Sequence, residues 1–168
     1  CWHERRAGGP PSRSVPPFAD GVATAEHRDA VSLADYRHLY KTYLSDPHLQ
    51  EARAHWPFIC TWDDHEFVDD NFQSFTNYDG TARLEAQRKL DANQAWFEFI
   101  PAGLDELKNQ PAHNCRPREL GAAERTHNTA AVDSLRIYRK LGWGQYLDIV
   151  ITDSRSYRSP PCLPPSFA

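Results

Sequence analysis

The stretch FICTWDDHEFVDDNF, Phe58 to Phe72, changes character at Trp62. Apolar residues run up to that point. Asp63, Asp64, Glu66, Asp69 and Asp70 then place five carboxylates within eight positions, with His65 among them. PFICTW, residues 57–62, is short, apolar and unalternating, and predicts a strand buried on both faces of a layered structure. The acidic cluster follows at its carboxyl end, where layered α/β proteins gather their sites. That reading sets the expected fold class, α/β.

So much like charge needs an explanation. Two carboxylates about 4 Å apart, at an effective dielectric near 20, repel by roughly 4 kcal/mol. Solvation, protonation, cationic partners or a bound metal each relieve this. Asp and His side by side suit a divalent ion that takes oxygen and nitrogen ligands. A His there is either a ligand or an acid beside the ion. The plain alternative is a solvated loop whose Asp side chains cap the next turn. A zinc-protease H-E-x-x-H helix is ruled against, because position 69 is Asp.

Upstream, Ser32 reads as an N-cap, and Leu33, Tyr36, Leu39, Tyr40, Tyr43 and Leu44 recur at helical spacing, which predicts a helix over 33–44. Ser45 or Asp46 caps a second helix with Pro47 in its first turn, running to about His55. Leu49, Ala52 and Trp56 share one face of it. Downstream, 71–80 is loop-like, and Thr81 to about Phe99 is rich in helix formers with Pro101 just past the end. Residues 101–134 are polar and irregular. Leu135, Ile137, Leu141 and Trp143 alternate with polar neighbours, Arg139 breaking the pattern. GWGQ signals a turn, and YLDIVITD reads as a second buried strand, so 135–152 predicts a hairpin within a larger sheet. This strand too ends on polar residues, Asp153 and Arg155.

Composition excludes several classes. The net charge is −4 and the cations are dispersed, so no basic nucleic-acid surface is expected. No apolar run approaches the ~20 residues that span a bilayer. Of the four cysteines, Cys1, Cys60, Cys115 and Cys162, none forms a C-x-x-C pair. Cys60 is expected as a packed core thiol, and Cys115 and Cys162 as loop residues able to pair in an oxidising compartment. The chain holds no Met and starts CWHERRAGG, which predicts an internal piece of a longer protein.

Four blocks, SLADYRHLYKTYLSDPHLQ, WPFICTWDDHEFVDD, ANQAWFEFIP and LRIYRKLGWGQYLDIVITDSRSYRS, occur in order between about Ala23 and Ser159. Together they resemble the alkaline phosphatase D family, the PhoD-like metallophosphoesterases. The resemblance implies part of a calcineurin-like αββα layered sandwich. Residues 1–30 form a loop-rich segment, 31–159 the central part of the domain, and 160–168 a Pro-rich loop. It implies hydrolysis of phosphate monoesters and diesters at two metal ions, calcium and iron, in an exported enzyme, periplasmic or extracellular.

Asp63-Asp64-His65-Glu66 fills the superfamily's Gly-Asn-His-Asp/Glu block. Asp64, with Asp63, is the implied metal ligand, and His65 the implied catalytic group at the phosphoryl or leaving oxygen. Arg155 is implied as a phosphate clamp, with Asp153, Tyr157, Asp69 and Asp70 supporting the ligands. Pairing of Asp153 and Arg155 with each other or with loop backbone is the simpler expectation. The family's Gly-Asp-x-x-Tyr and Gly-Asp-x-His blocks do not occur in these residues. The 168 residues alone are therefore expected to hold part of the site and to be inactive. The rival expectations are a degenerate, non-catalytic interaction module that keeps the fold, and another metal-dependent hydrolase such as a nuclease.

Overall fold

A computed structural model describes residues 18–23, 28–77, 81–102 and 116–160. Cys115 and Cys162 lie outside the described residues. The chain divides into two compact units, 1–59 and 60–168.

In the first unit, β1 (Val22–Ala23) pairs antiparallel with β2 (Arg28–Asp29). Helix α1 spans Leu33–Leu44, as the spacing predicts. Ser32 Oγ accepts the Asp35 amide at 3.2 Å. The buried Asp35 carboxylate accepts the amides of Ser32, Val31 and Asp20 in return. This reciprocal cap satisfies amides that a helix start leaves open. Tyr36, Leu39 and Tyr40 form the buried face. Helix α2 spans Pro47–His55, with Asp46 as its cap, accepting from His48 and Leu49 at 2.9 and 3.1 Å. No residue of α2 is buried. Trp56 lies past its end in extended backbone and is 71% exposed, so it does not complete the expected apolar face.

The second unit holds β3 (Phe75–Thr76), β4 (Arg83–Leu84), α3 (Ala86–Phe99), α4 (Thr129–Val132), β5 (Arg139–Trp143) and β6 (Leu147–Ile151). A 3-10 turn covers Glu124–Thr126, so the 116–134 stretch carries two short helical pieces rather than loop alone. Helix α3 begins five residues later than composition suggests. Arg83 and Leu84 pair instead with Thr76 and Phe75, and the Glu85 amide donates to Ser74 O at 2.8 Å. Cross-strand pairing here overrides helix propensity. Ala86 and Leu90 of α3 meet Leu120 and Ala131 in an apolar core.

The expected hairpin forms over 139–151 rather than 135–152, and among the described residues no further strand joins it to make the larger sheet. β5 and β6 run antiparallel from Arg139↔Ile151 to Trp143↔Leu147, and Gly144 takes φ +62° in the turn. β6 is not buried on both faces: Leu147 and Val150 are exposed, and only Ile151 is buried. The predicted strand at 57–62 does not form either. Its backbone is extended but pairs with no strand among the described residues, and Phe58 and Ile59 are exposed. Apolarity marks a segment able to enter a sheet, but a ladder also needs a partner edge in register. Cys60 is a half-buried free thiol rather than a core one. Among the described residues every sheet has two strands, so the chain is a mixture of helices and small antiparallel sheets.

Candidate functional site

Although 57–62 makes no ladder, its end is fastened beside the end of β6. Arg139, the residue that breaks the strand pattern, is buried and donates from Nη2 to Cys60 O at 3.0 Å. Thr61 Oγ1 donates to Thr152 O at 3.0 Å. Trp62 is buried, and its Nε1 donates to Asp153 Oδ1 at 2.9 Å. The same Asp153 oxygen accepts the amides of Arg155 at 3.0 Å and Ser156 at 2.8 Å. One carboxylate oxygen thus joins the two polar strand ends and shapes the turn that carries Arg155.

The acidic segment folds as a turn around Asp64. Asp64 O accepts the amides of Phe67 and Val68 at 2.9 and 2.8 Å, and both side chains are buried. Asp64 Oδ1 accepts the His65 amide at 2.9 Å, and Oδ2 the Asp70 amide at 3.0 Å. Asp70 adopts φ 51° to close the turn, a left-handed conformation that Asp tolerates better than most residues. Asn71 and Phe72 then return to the interior.

Arg155 is the main answer to the charge. Its Nε is 2.7 Å from Asp63 Oδ1, Nη2 is 3.4 Å from Asp64 Oδ2, and Nη1 is 3.8 Å from Asp70 Oδ1. Nη1 also donates to Asn71 O at 3.3 Å. The guanidinium therefore faces the acidic turn, while Asp153 meets Arg155 through its backbone amide alone. Of the two simpler expectations, pairing with loop backbone is the one seen: Asp153 Oδ1 takes loop amides and Arg155 Nη1 reaches Asn71 O, while the two side chains do not pair with each other. Burial pushes the Asp64 carboxyl up. The Asp70 amide, His65, Arg155 and its own backbone outweigh that and hold it below the usual range.

On the other side of Asp64, His65 Nε2 lies 3.3 Å from Asp69 Oδ1 and 3.9 Å from Asp64 Oδ1. Asp64, His65 and Asp69 each offer a ligand atom, all within 4.8 Å of one another. Ligands at bond lengths of about 2.0–2.6 Å lie at most about 5 Å apart around one ion, so these two oxygens and one nitrogen fit a cation. The structure groups Asp69 with this trio and sets Asp63 against Arg155. Asp70 supplies its amide to Asp64 and its carboxylate to Arg155. Tyr157 is not one of the trio. It is edge-on to Tyr138 at 5.7 Å and hydrogen-bonded to Arg136, and burial raises its phenol despite that cation.

Lys89 of α3 escapes a reading by composition. It is 2% exposed, with Nζ 4.6 Å from the centre of the Trp62 ring and 5.2 Å from that of Phe67. Trp62 also meets Trp96 edge-on at 5.3 Å. Burial pushes the Lys89 ammonium down to about 8, with Asp153 and Glu66 opposing the shift. Lys89 is thus a second cation behind the acidic turn. The signal was available: Lys89 shares a helical face with Ala86, Asn93 and Trp96, all buried.

A family model described as PhoD-like phosphatase matches residues 12–165. The chain is similar to alkaline phosphatase D of Bacillus subtilis (strain 168), 29% identical over 139 residues. That match covers 82% of this chain and 20% of the relative, so the chain spans about a fifth of the protein it resembles. No solved structure gives a significant match. Among the described residues no helix is long and apolar enough to cross a membrane.

Proposed function

This chain belongs to the PhoD-like phosphatase family, and from that premise we propose that its acidic turn is part of a metal-dependent phosphoesterase site. The reading is carried by one observation, the convergence of Asp64, His65 and Asp69 ligand atoms within 4.8 Å. The whole site belongs to the longer protein, on a calcineurin-like αββα sandwich, and this chain alone is inactive. Substrates are phosphate monoesters and diesters. Calcium with iron is the metal pair the family resemblance implies; the carboxylates suit calcium, and a nitrogen beside them suits iron. Export follows from the same resemblance.

When bound, such cations supply positive charge to the phosphoryl oxygens and acidify water. Asp64 holds an ion, and the Asp70 amide and Arg155 keep it ionised for that purpose. Asp69 orients His65 through its contact with Nε2, and the other ring nitrogen of His65 delivers a proton to the leaving alkoxide, a contribution of about 10²–10⁴ in rate. Arg155, fixed by Asp63 and the Asp153 turn, presents a planar cation that suits phosphate oxygens. Asp63 steers that guanidinium rather than a metal.

The 4.8 Å clustering also favours a second reading, in which His65 is a ligand itself. His65→Ala in the full-length protein separates the two. Retained metal with kcat lowered at least a hundredfold supports the proton donor. Loss of metal by elemental analysis supports the ligand. Unchanged metal and unchanged activity on p-nitrophenyl phosphate and its bis-ester sink both. A non-catalytic module is supported by Arg155, which already balances the acids without an ion. Activity of the full-length protein that chelator abolishes and metal restores excludes that rival.

A further inference from the structure

Asp153 and Arg155 stand two positions apart, yet their side chains do not pair. Asp153 Oδ1 accepts the Trp62 indole N–H and the amides of Arg155 and Ser156. Its Oδ2 is buried and has no hydrogen-bond partner among the described residues. A buried carboxylate oxygen is costly to leave unanswered, and a guanidinium two residues away is its natural remedy. That guanidinium is instead engaged by Asp63, Asp64 and Asp70. The charge of Asp153 must be met from elsewhere.

Lys89 of α3 meets it. The side chain is buried, where an apolar residue of similar volume would fill the space without the cost of burying charge. Its Nζ lies 4.6 Å from the centre of the Trp62 ring, and the N–H of that same indole holds Asp153 Oδ1 at 2.9 Å. One ring thus carries the ammonium on its face and the carboxylate at its edge. A cation on the face polarises the indole and strengthens the N–H as a donor. The carboxylates whose charge reaches Lys89 are Asp153 and then Glu66, and Arg155 is the cation that opposes them. Glu66 already accepts the Asp63 amide at 2.9 Å, which leaves Asp153 as the one to be answered. Burial brings the ammonium down only to about 8, so it is charged at neutral pH.

We propose that Lys89 is a positioning residue: its buried ammonium answers Asp153, and this keeps the Arg155 guanidinium turned toward the acidic turn instead of folded back onto Asp153. The use of Arg155 on a phosphate rests on the phosphoesterase reading above; the division of charge between the two cations does not. The test follows the Arg155 Nε–H signal of the ¹⁵N-labelled chain at neutral pH, a proton bonded to Asp63 at 2.7 Å. In Lys89→Met the signal should leave its wild-type position, because Arg155 is the cation left to answer Asp153. Adding Asp153→Asn, which keeps an acceptor for Trp62 and removes the charge, should restore it. In the full-length protein kcat/KM should fall about tenfold in Lys89→Met and recover in the double variant. An unmoved signal in Lys89→Met overturns the proposal. So does a shift that Asp153→Asn fails to reverse, which marks Lys89 as packing alone. Should Lys89→Met not fold, a folded double variant supports the proposal and an unfolded one overturns it. The signal needs no turnover. If the longer protein proves metal-free and inactive while Arg155 still follows Lys89, only the phosphoesterase reading fails. Chelator-sensitive hydrolysis with an indifferent Arg155 signal sinks the positioning role alone.

Discussion

Helices α1 and α2 and the acidic turn at 62–72 are built by opposite means. The helix caps act across two or three residues: Ser32 to Asp35, Asp46 to His48 and Leu49. The acidic turn is held from 79 to 92 residues away, by Arg139 on Cys60, Asp153 on Trp62, and Arg155 on Asp63. Both regions display conspicuous Asp residues. In the helices Asp answers an amide already close in sequence, so the residue itself discloses its partner. In the turn Asp answers cations that only folding brings near. A capping Asp therefore contributes a local increment, whereas the acids of the turn share one fate with Arg155.

Substitutions that strike the two regions should separate them by size. Arg155→Met leaves the buried Asp64 facing Asp63 and Asp70 without its cation. Removing one partner of a buried ion pair costs about 3–5 kcal/mol. The exposed Asp63 and Asp70 screen their share, so the lower end is expected in urea unfolding of the chain. Asp64 is held below its usual range in the wild type, so its stabilisation is present above the unfolded value of 3.8 and is lost as pH falls through the folded value. Removing Arg155 raises the folded value, and acid unfolding should therefore begin at higher pH. A loss below about 1 kcal/mol would place Arg155 with ordinary surface pairs and break the contrast.

Lys89 tests the second cation through pH. Its folded value is pushed from 10.5 to about 8 by burial. Between those values the unfolded chain carries a proton that the folded chain has released, so stability rises with pH across that window. Relative to Lys89→Met, the wild type should gain about 3 kcal/mol from pH 8 to pH 10.5. Paired denaturant curves measure this, and a flat difference would mean that the ammonium stays hydrated.

Asp153→Ala should cost about 2 kcal/mol, since the indole N–H of buried Trp62 loses its acceptor. Tryptophan fluorescence should change with it, because Trp62 loses its anchor. The smallest effect is expected in the helical region. Asp46→Ala removes one side-chain cap at an exposed helix start and should cost about 1 kcal/mol, leaving the Trp62 environment unchanged. If Asp46→Ala proved the more damaging of the two, local capping would outweigh long-range anchoring in this chain.

Legibility in the amino-acid order followed the same division. Helix 33–44 was readable to the residue, and Asp46-Pro47 announced the next helix start, because caps and periodicity are short-range. The hairpin was readable from alternation around a glycine turn. Arg83 and Leu84 were not, since strand pairing with Phe75 and Thr76 defeated their helix propensity. At the site, Asp63, Asp64, His65, Asp153 and Arg155 stood out by type and position. Which acid faces which cation did not. Asp69 joined His65, Asp63 turned to Arg155, and Lys89 was hidden among ordinary helix formers.

Residue order alone determined the two capped helices, the glycine-turn hairpin and the crowding of carboxylates after Trp62, because each follows from chemistry within a few bonds along the chain. Tertiary structure alone decided that residues 57–62 lie extended without a ladder among the described residues, and that the Arg155 guanidinium faces Asp63, Asp64 and Asp70 rather than Asp153. Charge pairing and burial depend on distances across space, and those are set only when segments about 90 residues apart are brought together.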